Sequence, residues 1–334
     1  MDWSGILTQT ISASIGPYAV VFILAAQGLN IHYGFTGLLN FGQAGFMAVG
    51  AYGLAITCAS EASGGYDQPL WLGVIVGLLA AVLLALVMGL PTLRLRGDYL
   101  AIVTIAVSEI IRLMVRSEAF EGFTGGNSGI NGFGRSFYEV NPFARDTKYV
   151  FGPFEFQPKD LWIMAVGWTV VGFFALLTFF LVRSPWGRLL KSIRENEDAV
   201  RALGKNVQGY KLQSLVLGGL MGACGGMLLA MWQILALPDD YATRTTFIAY
   251  TALIVGGTAT TFGPVFGGMI WYTIFAFTQN FVAELAKTDS FPSSLKDTAD
   301  VLPLVVLGIT LMVLVVVRPQ GALGNRREVE LDAR

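Results

Sequence analysis

Few residues in this chain could do acid–base, covalent or metal chemistry, and their spacing narrows the choice. Glu109 and Arg112 stand i,i+3 in AIVTIAVSEIIRLMV, ionisable groups inside an apolar run. A carboxylate there can relay a proton or line a polar pathway. It can also simply pair with Arg112 on one helix face, with Arg112 and Arg116 reaching to a membrane interface. His32 is the single histidine. With no second metal ligand near it in sequence, it reads as structural. Cys58 and Cys224 sit far apart in apolar runs and read as free, buried thiols. Gly126, Gly129 and Gly132 mimic a nucleotide fingerprint. The preceding strand, following helix and downstream acid are missing, which makes this a turn-rich loop. No GxxxxGK[ST], HExxH, CxxC or GxSxG occurs. The chain is therefore expected to be neither an enzyme nor a self-powered pump, with no cofactor or metal of its own.

The elements that must position these residues are apolar. Of 334 residues 54% are hydrophobic and 13% charged, against roughly 25% charged in soluble proteins. Forty glycines would let membrane helices approach closely. A net charge of −1 gives no field for nucleic acid. The N-terminal MDWSGILTQTISASIG lacks Lys and Arg, so a cleaved export signal is not expected and the first span should be retained. A span needs about 20 mostly apolar residues. Candidates are 14–33, 38–58, 69–90, 98–115, 161–182, 212–235, 247–261, 262–283 and 301–317. The expected fold is an all-α polytopic transmembrane bundle of about nine spans, in one domain over 1–334.

Loop charges then orient it, because cytoplasmic loops collect Lys and Arg. With the N-terminus outside, Arg94, Arg96, the strip 183–211 and the tail 318–334 (Arg318, Arg326, Arg327, Arg334) face the cytoplasm. The outside receives 59–68, with Glu61 and Asp67, and 284–300, with Glu284, Asp289, Asp297 and Asp300 against Lys287 and Lys296. The Gly-, Pro- and aromatic-rich 116–160 becomes an ordered external loop, with short strands expected around Phe137–Val140 and Tyr149–Phe156.

Two spans are interrupted. GFTGLLNFGQAGFMAVGAYG (34–53) carries Asn40, Gly42, Gln43 and Gly45; IVGGTATTFGPVFGGMIWY (254–272) carries Thr258, Thr260, Thr261 and Pro264. Aligning Phe41-Gly42 on Phe262-Gly263 sets Asn40 beside Thr261 and Gly37 beside Thr258, a faint internal echo. Broken helices survive in lipid only against protein or a watery cavity. Such interruptions in both halves of a chain point to a transport pathway, and close packing through small residues is the other account. Asn40, Gly42, Gln43, Thr261 and Glu109 are the pathway candidates.

Within the strip RSPWGRLLKSIRENEDAVRALGKNVQGYK (183–211), NEDAVRALG reads as one short helix. Asn196 is a good N-cap, Glu197 and Asp198 suit the first turn and Arg201 the last, and Gly204 supplies a stop. Val200 and Leu203 are expected to share a small apolar face with Ala199. Leu189, Leu190 and Ile193 make another stripe before it. Such a helix suits docking; an ordinary positive loop is the plainer alternative.

Four stretches carry a resemblance over nearly the whole chain: GLNIHYGFTGLLNFGQAGFMAVGAYG, TGGNSGI, ENEDAVRALGKNVQGYKLQSLVLGGLMGACGGML and VRPQGALG. In order and type they resemble the LivM-type permeases of branched-chain amino acid ABC importers. The resemblance implies the ABC importer permease fold in a bacterial cytoplasmic membrane. It implies that Arg194, Glu195, Asn196, Glu197, Asp198, Ala199, Val200, Arg201, Ala202, Leu203 and Gly204 form the ATPase-docking element. The family's docking pattern is loose here, with Ala199 and Ala202 followed by Gly204. The implied partners are a LivH-type sister permease, two cytosolic ABC ATPase subunits that hold ATP and Mg, and an extracytoplasmic binding protein. Gly125, Gly126, Asn127 and Ser128 are the candidate docking point for that last partner. Similar permeases serve urea and short-chain amide importers, which leaves the substrate open. A channel or secondary carrier, working without an ATPase, is the rival of another class.

Overall fold

The computed structural model describes residues 3–60, 63–93, 97–143, 148–286, 302–317 and 321–324. Arg94, Arg96, Glu61, Lys287, Asp289, Lys296, Asp297, Asp300, Arg318, Arg326, Arg327 and Arg334, used above to orient the chain, lie outside the described residues. The chain is helical almost throughout. Helix α1 (Trp3–Ser14) and α2 (Pro17–Leu29) are split at Gly16, and Pro17 opens α2 where a missing N–H costs nothing. A π-helical turn (Asn30–Phe35) extends α2. Next come α3 (Gln43–Cys58), α4 (Leu70–Thr92) and α5 (Gly97–Arg116). Short pieces follow: α6 (Glu121–Thr124), β1 (Ile130–Asn131), α7 (Arg135–Glu139), β2 (Tyr149–Phe151) and β3 (Phe154–Phe156). Then run α8 (Pro158–Arg183), α9 (Pro185–Glu195), α10 (Glu197–Ala202), α11 (Val207–Gln233), β4 (Leu235–Ala236), α12 (Thr243–Gly256), α13 (Gly263–Ala286) and α14 (Leu302–Val317).

Helices α2 and α11 are buried on nearly every side and form the centre. Helix α4 buries one stripe, Gly73, Gly77, Ala81, Ala85 and Met88, continued by Gly89 and Thr92, and leaves Leu79, Leu83 and Val87 exposed on its outer side. That is the pattern of a helix with protein on one face and lipid on the other. Small residues set the spacing. A Cβ on Gly226 of α11 would stand 2.0 Å from the Met47 carbonyl of α3, and one on Gly53 would stand 2.7 Å from the Gly77 Cα.

Among the described residues, four helical stretches are long and apolar enough to cross a membrane: Trp3–Phe35, Leu70–Thr92, Pro158–Arg183 and Val207–Gln233. The expected spans 38–58 and 247–261 shorten to α3 and α12, because 37–42 and 257–262 carry no helix. Both breaks end in a new helix at the aligned glycines, with α3 starting just after Gly42 and α13 at Gly263. The strand expected at Phe137–Val140 is instead α7, whose buried Phe137 packs on Trp162 at 5.5 Å. The strands expected around Tyr149–Phe156 are present, and β2 pairs antiparallel with β3 as a hairpin. Cys58 and Cys224 are both free, and each is half-buried rather than fully enclosed.

Helix α11 spans about 40 Å by its 27 residues and separates two ends of the molecule. The strip and both breaks lie at its start. At its other end, β4 pairs with β1, Ile130 opposite Ala236, and Ser63 Oγ donates to Asn131 Oδ1. The described parts of 59–68 and 116–160 thus share one end, away from the strip.

Candidate coupling and pathway site

The strip folds around its own small core. Leu190 and Ile193 of α9 meet Val200 of α10 and Val207 of α11, flanked by Trp186, Leu189 and Tyr210. Asn196 caps α10: its Oδ1 accepts the Ala199 N–H at 2.9 Å. Arg201 donates back to Glu197 at 2.7 Å and Asp198 at 3.2 Å. The second Glu197 oxygen binds Lys211 of α11, a cation with little exposure. Gly204, at φ +74°, ends the turn in the left-handed region that Gly adopts freely. One expectation fails. Leu203 does not join Val200 but is 78% exposed. It is the C-cap residue, one position past the end of α10, and its side chain is left in the open there. Ala199 and Ala202 are exposed beside it. Glu195 is exposed as well, between α9 and the cap.

Above the strip, the π-helical turn gathers the breaks. Asn30, 1% exposed, accepts the Ala259 N–H at 2.9 Å and donates to the Thr260 carbonyl at 2.7 Å. Ala259 sits at φ +58°, a strained value for a residue with a Cβ. His32 donates from Nε2 to the Leu215 carbonyl at 3.1 Å, and its Nδ1 accepts from Asn40 Nδ2 at 3.0 Å. Those two partners select the neutral tautomer with its proton on Nε2. Asn40 Oδ1 takes the Gly42 N–H at 2.9 Å, and the Tyr250 hydroxyl donates to the Asn40 carbonyl at 2.9 Å. Thr36 and Ser214 pair hydroxyls at 2.7 Å. From α9, Arg194 donates to the Gly34 carbonyl at 2.5 Å.

The opening of α3 follows the same logic. Its first N–H groups have no helical partner. Thr104 of α5 accepts from Phe41 at 3.0 Å, and Thr246 of α12 accepts from Ala44 at 2.9 Å. Gln43 donates to the Gly218 carbonyl at 3.0 Å and the Ala25 carbonyl at 3.4 Å, and its Oε1 meets no donor. Asn40, Gly42 and Gln43 are therefore brought together, fully enclosed in protein. Thr261 stands half-buried beside the second break. Asn30, Thr104, Thr246 and Ser214 are the participants that sequence reading missed. Each is a polar residue inside an apolar run, and that was the available signal.

Glu109 lies elsewhere. Arg112 donates to it from Nε, 3.0 and 3.1 Å from the two oxygens, and from Nη2, 2.5 Å from Oε1, while its Nη1 reaches Asp239 at 2.8 Å. Arg116 donates to Asn127 Oδ1 at 2.5 Å and approaches Asp239 at 3.5 Å. These contacts tie α5 to the turns at the far end. There Gly125 and Gly126 both take positive φ, with Gly126 buried and Asn127 and Ser128 exposed. The neighbouring Asp240 is half-buried, with Oδ2 unpartnered, and burial pushes its carboxyl above the usual range.

Residues 13–315 match the family model described as branched-chain amino acid transport system / permease component. The chain is 28% identical to the high-affinity branched-chain amino acid transport system permease protein LivM of Escherichia coli over 270 residues, 78% of this chain and 61% of that one. The match thus spans about six-tenths of that relative's length. It is 26% identical to the probable LivM permease of Methanocaldococcus jannaschii over 76% of this chain and 77% of the relative. It is also 26% identical to the LivH permease of Salmonella typhimurium over 92% of both. No solved structure matches.

Proposed function

Because the chain belongs to the family of branched-chain amino acid transport permease components, we propose that it is one membrane subunit of an ATP-driven importer, docked by its strip to ABC ATPases. The permease is a multi-pass transport subunit and not itself an enzyme. The observation that carries the coupling reading is the tip of α10. A buried core and an Asn196 cap hold that helix rigid, yet Ala199, Ala202 and Leu203 face outward, uncovered by the described residues. A large apolar side chain held out on a rigid, charged knob is suited to a groove on another protein.

In this reading a LivH-type sister completes the pathway, and the ATPases bind ATP and Mg. A binding protein docks outside near Asn127 and Ser128, with Gly125 and Gly126 shaping that turn. The N-terminus lies outside and the strip lies in the cytoplasm, with about nine membrane crossings. Asn40, Gly42, Gln43 and Thr261 serve the pathway by shaping the two breaks, and Glu109 by locking its outer end. The substrates are leucine, isoleucine and valine, as the relatives' names suggest, with urea and short-chain amides as the alternative cargo.

The test is co-purification in mild detergent with candidate ABC ATPase chains from the same genome. Wild type should retain the ATPase, and Ala199→Arg with Leu203→Glu should lose it while membrane insertion persists. An intact, transporting assembly without an ATPase would overturn the reading in favour of a channel or secondary carrier. In reconstituted assemblies, competition of labelled leucine uptake by urea and acetamide decides the cargo.

A further inference from the structure

We infer that the π-helical turn Asn30–Phe35 is the junction through which movement of the strip reaches both broken segments, with Arg194 as the positioning residue at its lower contact. The inference rests on the coupling role proposed above and adds a route to it.

The route is continuous in space. Arg194 lies in α9, two residues before the Asn196 cap of the docking helix. Its guanidinium donates to the Gly34 carbonyl at 2.5 Å. Its stem fills the space beside Gly37, where a Cβ would lie 3.0 Å from the Arg194 Cγ. Lys191, one turn earlier, holds its ammonium 5.8 Å from the centre of the Phe35 ring. Thus α9 grips both the end of the π turn and the start of the first break.

From Gly34 the contacts divide. A Cβ on Gly34 would stand 2.2 Å from Asn30 Oδ1 and 2.7 Å from the Ala259 nitrogen, so these groups are packed with no slack. Asn30 then holds the second break through Ala259 and Thr260. His32, on the same turn, holds the first break through Asn40. One six-residue turn therefore touches the strip, residues 38–42 and residues 259–260. A π turn carries an extra residue relative to an α turn and often marks functional sites. On the inferred route the turn takes up or releases that residue as its neighbours shift, so that both breaks move with it. Helix α11 offers the strip a parallel path through Lys211 and Glu197. That path reaches Ser214 and Leu215, which again bear on the π turn.

The route makes distinct demands on Arg194 and Asn30. The experiment uses the assembled complex in liposomes, with hydrogen exchange read by mass spectrometry across 37–42 and 257–262, with and without ATP. Wild type should show a nucleotide-dependent change in both segments. In Arg194→Met assemblies compared at equal bound ATPase and equal hydrolysis with wild type, that change should fall at least fivefold in both. Arg194→Lys, which can still donate to the Gly34 carbonyl, should recover to within twofold of wild type. Asn30→Ala should lose the response at 257–262 and keep it at 37–42, a split that general loosening would not produce. Wild-type responses in Arg194→Met, or equal loss at both segments in Asn30→Ala, would overturn the inference. Failure of wild type to bind an ATPase would instead overturn the coupling role itself. If Arg194→Met does not assemble, the Asn30→Ala split decides alone.

Discussion

Gly218 shows what a single residue decides in this molecule. A Cβ there would stand 2.3 Å from His32 Nε2 and 2.4 Å from the Gly28 carbonyl. Gly218→Ala must push α2 from α11 at the site of the His32–Leu215 bond, and should cost about 1–3 kcal/mol. Gly172 on α8 has open space around its Cβ position, so Gly172→Ala should be neutral or slightly stabilising by lowering chain entropy. Thermal unfolding of both variants in the same detergent tests the contrast. Asp240 carries a pH prediction. Burial raises its folded-state pKa above the ordinary value near 3.8, so the folded state binds the proton more tightly than the unfolded state. Its carboxyl therefore favours the folded turn most when protonated. That contribution is lost as pH rises through the shifted pKa. Asp240→Asn should slow hydrogen exchange at residues 238–241 at neutral pH and flatten its change between pH 4 and 7; exchange with unaltered pH dependence would refute this.

At the scale of elements, α10 shows which local signals carry through folding. Its cap, acidic first turn, basic last turn and closing glycine all act within nine residues, so they were legible in NEDAVRALG and are realised. Asn196→Ala removes the Oδ1 acceptor and should cost about 1 kcal/mol. In the coupling reading this loosens the docking helix and weakens ATPase binding about fivefold, measurable by titrating the purified ATPase onto detergent-solubilised permease. Leu203 was misplaced by the same reasoning, because helical periodicity says which residues share a face but not how far the neighbouring core reaches, and the core around Val200 stops short of this C-cap residue. Around Phe137 the aromatic run suggested a strand, but packing against Trp162 and the Trp162 Nε1 bond to the Phe137 carbonyl at 3.0 Å hold a helical turn instead.

At the scale of the whole molecule, the buried stripe of α4 turns glycine spacing into architecture. Gly77 meets the Met227 methyl and the Gly50 carbonyl, with a Cβ 2.5 and 2.6 Å away, while Leu83 points outward at 61% exposure. Gly77→Val should therefore disrupt the α3–α4–α11 contact and yield aggregated or degraded protein. Leu83→Ala should leave a monodisperse peak on size exclusion. Leu83→Arg should cost about 2.5–3.5 kcal/mol if this face lies mid-membrane. Equal behaviour of Gly77→Val and Leu83→Ala would contradict the assignment of inner and outer faces.

The features legible without the fold are local or compositional. The apolar runs and their order, the two interruptions, the capped helix of the strip and the family motifs can all be read without knowing which helices touch. Only the tertiary structure decided where the polar residues in those runs would go. Asn30 and Ala259 are 229 positions apart, and His32 and Leu215 are 183 apart. The physical reason is that a broken helix in an apolar interior leaves backbone N–H and carbonyl groups that must be bonded. Chain geometry states how many such groups there are; which side chain reaches each one depends on how closely the glycines let α2, α3 and α11 pack.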